Sequence, residues 1–574
     1  MSPKTVDASR GFEPFSAQSA ASGVTYLLGS LTMARPAAHV HAPAPVLPLL
    51  LILAAARASS SPAASVRFSN VFGDDMVLQA DKPAPVWGWA APSASVRVSL
   101  SSGAFNATVQ ADAAGFFRAV LPSAPASMAA VDVLAAAPDG SSAALRRVLF
   151  GTVILCSGQS NMEFTVASLA NASAEIAAAP AYTDRVRLYS AAYVNTSFAP
   201  TSPRQEMLNV SLPWAAASVL SVGGGPWLYF SALCWLAARG VADRFPATPV
   251  GAVHASIGGT PIQYWMSPEA LSACPAVPGM ACCGMGGTSS CLWDAFIFPL
   301  TLGPAQYSAV LWMQGEQNAM PGVEQADYYD CALPAMIASW RAAFEMPALP
   351  FGVFALAPYR SSEPTDDGFP RVRLIQAALA ARDPAVFFVS TLDGGDPVAF
   401  AIHSPFKEAA GARAALGLRA VALRDATARL LGPRATAALS GAGAQPGTIL
   451  SVVVFNDTSL YGAAPLLNTS VACPAGLPIA YCESFAVMTS DGMWRSVEDP
   501  GAPGVTLTPH AYPSAPTSMA LVLAGAPDGL KVLAVRGGYR VWPLVQLRNE
   551  AGIPAEPFIL NCSQVGRLSF PGLW

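Results

Sequence analysis

Three short segments mix glycine with amides, hydroxyls and a carboxylate: Gly158-Gln-Ser-Asn161, Gly258-Gly-Thr-Pro261 and Gln314-Gly-Glu-Gln-Asn318. A tight glycine turn lets backbone N–H groups face a ligand, while the side chains supply donors or a nucleophile. Gln159, Gln314 and Glu316 are the candidates for substrate contact. Ser160 comes just after the apolar run Val153-Ile-Leu-Cys156, where its hydroxyl suits either a nucleophile or a helix N-cap. A serine nucleophile needs a base, and the chain has five His. His39 and His41 precede an apolar leader, His254 lies inside an apolar run and reads as core, and His510 lies in a C-terminal β-patterned region. His403, in Ala401-Ile-His-Ser-Pro405, is the base by elimination. A third group would orient its imidazole and stabilise the cation. Asp396 is taken as that acid, with Asp393 and Glu316 as alternatives that the sequence leaves open, since each carboxylate suits a turn or cap equally well.

The elements that must position these residues follow from hydrophobic period. Residues 66–147 read as a small β domain: Ser95-Val-Arg-Val-Ser-Leu100 alternates with period two, and Phe105–Val109 and Gly115–Leu121 follow at turn-separated intervals. Residues 148–432 alternate apolar strands (Val153–Cys156, Val250–Ala255, Ala309–Met313, Phe351–Leu356, Val386–Val389) with helical stretches at 327–344 and 407–431. Apolar strands separated by helices predict an α/β layer, a parallel sheet covered on both faces. In such sheets ligands bind beyond the carboxyl ends of the strands, where all three glycine-bearing segments fall. Residues 433–574 return to β patterning in Thr448–Phe455, Ser518–Leu523 and Lys531–Val535.

The 574 residues suit about three domains. Charge is nearly balanced, 32 Lys+Arg against 36 Asp+Glu, with no basic run, which argues against a nucleic-acid partner. The chain is 53% hydrophobic, yet no polar-free run reaches about 18 residues, so a multi-span membrane protein is excluded. Val46–Ala56 is a short apolar core followed by small residues, the pattern of a secretory signal within residues 1–60. Met33 gives such a signal a more ordinary start than Met1 does; the rival reading is a signal-anchor helix. Seven of the eleven Asn stand in glycosylation sequons: Asn106, Asn171, Asn195, Asn209, Asn456, Asn468 and Asn561. The ten Cys form an even set, and Cys274, Cys282, Cys283 and Cys291 cluster in one glycine-rich stretch. In an oxidising compartment these read as disulfides. Paired Cys-x-x-Cys spacing and a nearby His are missing, which argues against zinc.

Phe68-Ser-Asn-Val-Phe-Gly-Asp-Asp-Met-Val-Leu-Gln79, Leu155-Cys-Ser-Gly-Gln-Ser-Asn-Met162 and Ile257-Gly-Gly-Thr-Pro-Ile-Gln-Tyr-Trp265 resemble the sialate O-acetylesterase family. So do Leu292–Leu300, Trp312–Asn318, Asp366–Arg373 and Ile402-His403, in order from about residue 66 to Phe558. The resemblance implies an SGNH/flavodoxin-like catalytic domain over 148–432, flanked by N- and C-terminal β-sandwich-like regions. It implies Ser160 as nucleophile and His403 as base. The oxyanion donors would be the Ser160 N–H, an N–H at Gly258 or Gly259, and the Asn318 side chain. Relatives place an Asp two or three residues before this His; here those positions are Ala401 and Phe400. A Ser–His dyad helped by a backbone carbonyl is the alternative to a triad. The implied activity is hydrolysis of sugar O-acetyl esters, most readily 9-O-acetyl groups of sialic acids, in the secretory pathway or a lysosome. It calls for an acetylated sugar and water, no metal or organic cofactor, and no membrane insertion once the signal is removed. The rival functions are deacetylation of another glycan, such as acetylxylan, and a catalytically dead glycan-binding relative.

Overall fold

The computed structural model describes residues 65–191, 202–225, 229–275, 289–302, 306–320, 323–364, 366–511, 514–568 and 570. The leader with Val46–Ala56 and Met33, His39 and His41, the Asn195 sequon, Cys282 and Cys283 lie outside the described residues.

The catalytic layer begins with β1 (Ser142–Gly158) and α1 (Ser160–Glu163), then β2 (Val186–Ala191), β3 (Val210–Ala216) and α2 (Ala232–Arg244). Next come β4 (Val250–Ser256), β5 (Ala309–Met313), α3 (Glu316–Ala319), α4 (Val323–Ala343) and β6 (Phe351–Phe354). The layer ends with α5 (Gly368–Arg382), β7 (Val386–Val389) and α6 (Glu408–Gly417). The strands lie in the order β3-β2-β4-β1-β5-β6-β7, all parallel except β3. Counting only the parallel strands in chain order this is 2-3-1-4-5-6, which departs from the 2-1-3-4-5 order of a flavodoxin-like sheet.

β1 belongs to two sheets. Its first half is partly exposed and pairs antiparallel with Ser127–Ala136; from Val148 onward every residue is buried. That change from mixed to continuous burial is the change from a one-sided to a two-sided sheet. Alternate residues of the buried half supply opposite faces. Ile154, Cys156 and Leu311 pack with Trp235 of α2 and Leu418 just beyond α6, while Leu155, Val310 and Trp312 pack with Met336 and Trp340 of α4 and Val372 of α5. Helices α2 and α6 cross at Gly411, where a Cβ would come within 2.4 Å of Leu236 Cβ. The expected helix over 407–431 ends early: α6 stops at Gly417, one π turn (Leu418–Ala422) follows, and Asp425 bonds Thr427 and Arg419 in a turn that competes with further helix.

The N-terminal residues add a three-stranded sheet, Arg67–Phe68, Ala84–Trp89 and Phe116–Leu121, facing strands that run on into β1. The C-terminal region holds an eight-stranded sheet, in which Ala435–Ala442 and Phe558–Arg567 pair in parallel and the other described pairs are antiparallel, and two short two-stranded ladders. The buried Arg373 of α5 joins it to the catalytic layer, donating to the carbonyls of Leu356, Ala357, Arg540 and Val541. Disulfides join Cys156 to Cys234, Cys274 to Cys331, and Cys473 to Cys482. Cys274 thus pairs with α4, outside the glycine-rich cluster. No described helix is long and apolar enough to cross a membrane.

Asn106, Asn209, Asn456, Asn468 and Asn561 are exposed, whereas Asn171 is half-buried with its amide donated to Glu175. Expression through a secretory pathway is expected to give glycans at those five and little at Asn171. Site-resolved mass spectrometry before and after glycosidase treatment measures this; heavy occupancy at Asn171 would contradict it.

Candidate active site

Ser160, His403 and the three glycine-bearing segments meet at the carboxyl edge of the parallel strands. β1 ends at Gly158, whose φ of 139° turns the chain sharply into Gln159 and α1. His403 arrives on the loop after β7. There Asp396 Oδ1 accepts from the N–H groups of Val398 and Ala399, Phe400 takes a positive φ of 52°, and its ring packs edge-on to Trp542 of the C-terminal region. The result is His403 Nε2 at 2.8 Å from Ser160 Oγ, across 243 residues of sequence. Burial, then the charge of Lys407, pushes the His403 pKa below the ordinary histidine value, keeping the ring neutral and able to accept a proton.

The three candidate acids are held by other partners. Asp393 forms a bidentate pair with Arg413 and a further bond to Arg548. Asp396 builds the turn just described. Glu316 accepts from Asn161 Nδ2 at 2.7 Å, and burial raises its pKa.

Of the side chains expected to contact substrate, Gln159 and Gln314 bond to each other and Glu316 bonds to Asn161. Gln159, Gln314 and Glu316 are 2%, 0% and 1% exposed. Gln159 Oε1 accepts from Gln314 Nε2 and from the N–H groups of Gly315 and Gln317. Asn318 is equally enclosed: its Oδ1 accepts from Ile262 N and Gln314 Nε2, and its Nδ2 donates to Gln263. Expected as an oxyanion donor, the Asn318 side chain ties the post-β5 loop to the post-β4 turn. Gly258 N–H is also engaged, donating to Glu163 Oε2 at 2.8 Å. Ser160 N, at the first turn of α1, and Gly259 N, at φ 67°, are the remaining backbone donors of the expected set.

Sequence reasoning missed Asn161, Glu163 and Lys407. Asn161 and Glu163 were visible as polar residues one and three positions beyond Ser160. Lys407 was visible as one of only four Lys in the chain, four residues after His403. His254 is a core residue, as expected: it is enclosed between the hydroxyls of Ser190 and Ser256, and burial holds its pKa down at about 3.

A neutral imidazole on a serine hydroxyl at the first turn of a helix is equipped for acyl transfer. A family model described as carbohydrate esterase, sialic acid-specific acetylesterase, matches residues 151–397. The crystal structure of a carbohydrate acetylesterase from Xanthomonas citri aligns with a TM-score of 0.69 at 25% identity, covering 86% of this chain and 99% of that one. With this sheet and these likenesses the protein is a carboxylic ester hydrolase of the carbohydrate esterases. The chain is 33% identical over 418 residues to the sialate O-acetylesterase of Pongo abelii, covering 68% of this chain and 76% of that protein. It is 32% identical over 415 residues to that of Homo sapiens, with the same shares covered. It belongs to the sialate O-acetylesterase family.

Asn318→Ala is expected to act on stability rather than on rate. It strands the Ile262 N–H and removes one partner each from the Gln314 amide and the Gln263 carbonyl in a buried site, at a cost of about 1–3 kcal/mol. Thermal unfolding and kcat measured on one preparation should show a lower Tm with kcat within a few-fold. An unchanged Tm with kcat lowered about 100-fold would restore the oxyanion role.

Proposed function

We propose that this chain is a secreted or lysosomal serine esterase that removes O-acetyl groups from sialic acids, foremost 9-O-acetyl esters. The observation that carries the reading is the 2.8 Å bond between His403 Nε2 and Ser160 Oγ, in a chain of this family. Ser160 Oγ attacks the acetyl carbonyl carbon while His403 Nε2 takes the hydroxyl proton. The oxyanion is met by the N–H groups of Ser160 and Gly259. The tetrahedral species collapses, His403 returns the proton to the departing sugar oxygen, and the acetyl group stays on Ser160. Water then attacks that ester with His403 again as base, and acetate leaves. No acid is assigned to orient His403 in this reading; Asp393, Asp396 and Glu316 each hold the partners described above. The depressed His403 pKa suits work in a mildly acidic lumen: the active form is the neutral ring, which survives to lower pH than an ordinary histidine would allow. The three disulfides support a secretory destination.

The test is acetate release from a 9-O-acetylated sialoside, acetylxylan and 4-nitrophenyl acetate by the purified secreted chain. The expected kcat/KM on the sialoside exceeds that on acetylxylan by roughly 10-fold or more, the scale of discrimination a shaped pocket provides. Equal or faster turnover of acetylxylan would move the substrate to another glycan. No release from any of the three would leave a glycan-binding relative.

A further inference from the structure

We propose that Lys407, Asn161 and Glu316 form a buried clamp that sets the distance between nucleophile and base, with Lys407 as a positioning residue for the Ser160–His403 pair. The inference rests on the roles proposed above for those two residues. Asn161 follows the nucleophile directly, and its carboxamide is engaged at both ends. Oδ1 accepts from Lys407 Nζ at 2.8 Å; Nδ2 donates to Glu316 Oε1 at 2.7 Å and to the Ile402 carbonyl at 3.1 Å. Ile402 immediately precedes His403. One amide adjoining the nucleophile therefore holds the peptide adjoining the base.

An asparagine amide can turn over, exchanging its oxygen and nitrogen. Here an ammonium stands at one end and a carboxylate at the other, so the turned amide would set NH2 against the ammonium and C=O against the carboxylate. The two charges select one orientation, and only that orientation reaches Ile402. Asn161, Glu316 and Lys407 are 1%, 1% and 4% exposed, so the selection operates out of water, where such interactions are strong. Removing an ammonium from water is costly, and Lys407 is compensated only in part by Glu316, Glu408 and the face of Phe164, 4.6 Å from its nitrogen to the ring centroid.

Lys407 also faces His403, whose protonation its charge opposes. Its own pKa is pulled down to about 8, by burial first, against the raising effect of Glu316 and then Glu408. Loss of its proton would weaken the charge-assisted bond to Asn161 and remove the charge that selects the amide's orientation, so the clamp weakens as pH rises past that point.

The test uses the secreted full chain, 4-nitrophenyl acetate as probe, and Lys407→Met and Lys407→Arg across pH. For wild type, kcat is expected to fall above about pH 8. Lys407→Met should lower kcat about 10- to 100-fold, the effect of misplacing reacting groups, with KM within about 3-fold. Its acid limb should move to higher pH, because the charge opposing His403 protonation is gone. Lys407→Arg keeps the cation; it should recover most of kcat, return the acid limb to its wild-type position and extend the plateau to higher pH. Lys407→Met with kcat within 2-fold, or with lowered kcat and an unmoved acid limb, would overturn the clamp. If Lys407→Met does not fold, an unshifted alkaline limb in Lys407→Arg would overturn it, as would a wild-type rate level to pH 10. Activity that survives Ser160→Ala would instead remove the serine–histidine reading itself.

Discussion

Ser160→Ala is expected to remove esterase activity by at least roughly 10⁴-fold while leaving the fold intact. The size follows from losing the atom proposed to form the acetyl-enzyme; only binding and the backbone donors would remain to help water attack directly. The fold should survive because the Ser160 hydroxyl bonds to His403 at 2.8 Å and is not otherwise tied into the scaffold, so stability should change by less than about 1 kcal/mol. Groups that act as one unit lose activity together rather than additively. The double variant Ser160→Ala/His403→Ala should therefore be no slower than Ser160→Ala alone. Single-turnover assays on 4-nitrophenyl acetate would show no burst in either variant. A Ser160→Ala protein within 10-fold of wild type, or a double variant slower by the product of the single effects, would mean that the two residues do not share one chemical step.

The parts of this architecture that could be read from sequence are those where one physical signal dominates. β5 (Ala309–Met313) and β7 (Val386–Val389) are short continuous apolar runs between turn residues, and their bounds match the expectation residue for residue. β2 was not legible because Arg187 and Ser190 interrupt its apolar run. Tertiary partners make both tolerable inside: Arg187 donates to the Thr183 carbonyl and Ser190 bonds His254. α5 was obscured in the same way, opening on Gly-Phe-Pro-Arg and burying Arg373 where a helix would ordinarily bury an apolar side chain.

At the site, the scarcity of histidine made His403 legible, since elimination among five residues needs no geometry. The polar loops were legible as a place but not as roles. Glycine flanked by amides announces a turn near a ligand, but whether Gln159, Gln314 and Asn318 face that ligand or each other depends on how three distant loops close. They face each other, which makes them a scaffold that holds the backbone near Ser160 and Gly259 in place. The same limit applies to the acid: a carboxylate in a turn looks alike in sequence whether it serves a histidine, an arginine or two backbone N–H groups.

Gly158→Ala should be the most damaging single methyl in the catalytic layer. Gly158 pairs with Met313 at the end of β1, and at its φ of 139° an added Cβ would lie 2.0 Å from the Met313 carbonyl oxygen and 2.7 Å from its carbon. Both are backbone atoms, so no side-chain rotation relieves the contact. β5 would have to move away from β1, at the expense of the Gln159 N–H bond to Met313 O (2.9 Å) and the register that places Ser160. The unfavourable φ alone costs an L-residue about 1–3 kcal/mol, and the clash should carry the total beyond about 4 kcal/mol. Gly103 supplies the control. It lies in the exposed turn after Ser95–Leu100, with a positive φ of 78° and nothing within 4 Å of an added Cβ. Gly103→Ala should therefore cost only about 1 kcal/mol and keep full activity. Gly158→Ala should fail to accumulate as folded protein or, where some folds, lose kcat about 100-fold or more through displacement of the nucleophile. Urea unfolding and kcat for the two variants side by side separate φ strain from the clash with β5. Equal unfolding midpoints and equal rates would show that β1 and β5 part without cost and that the nucleophile's place does not depend on Gly158.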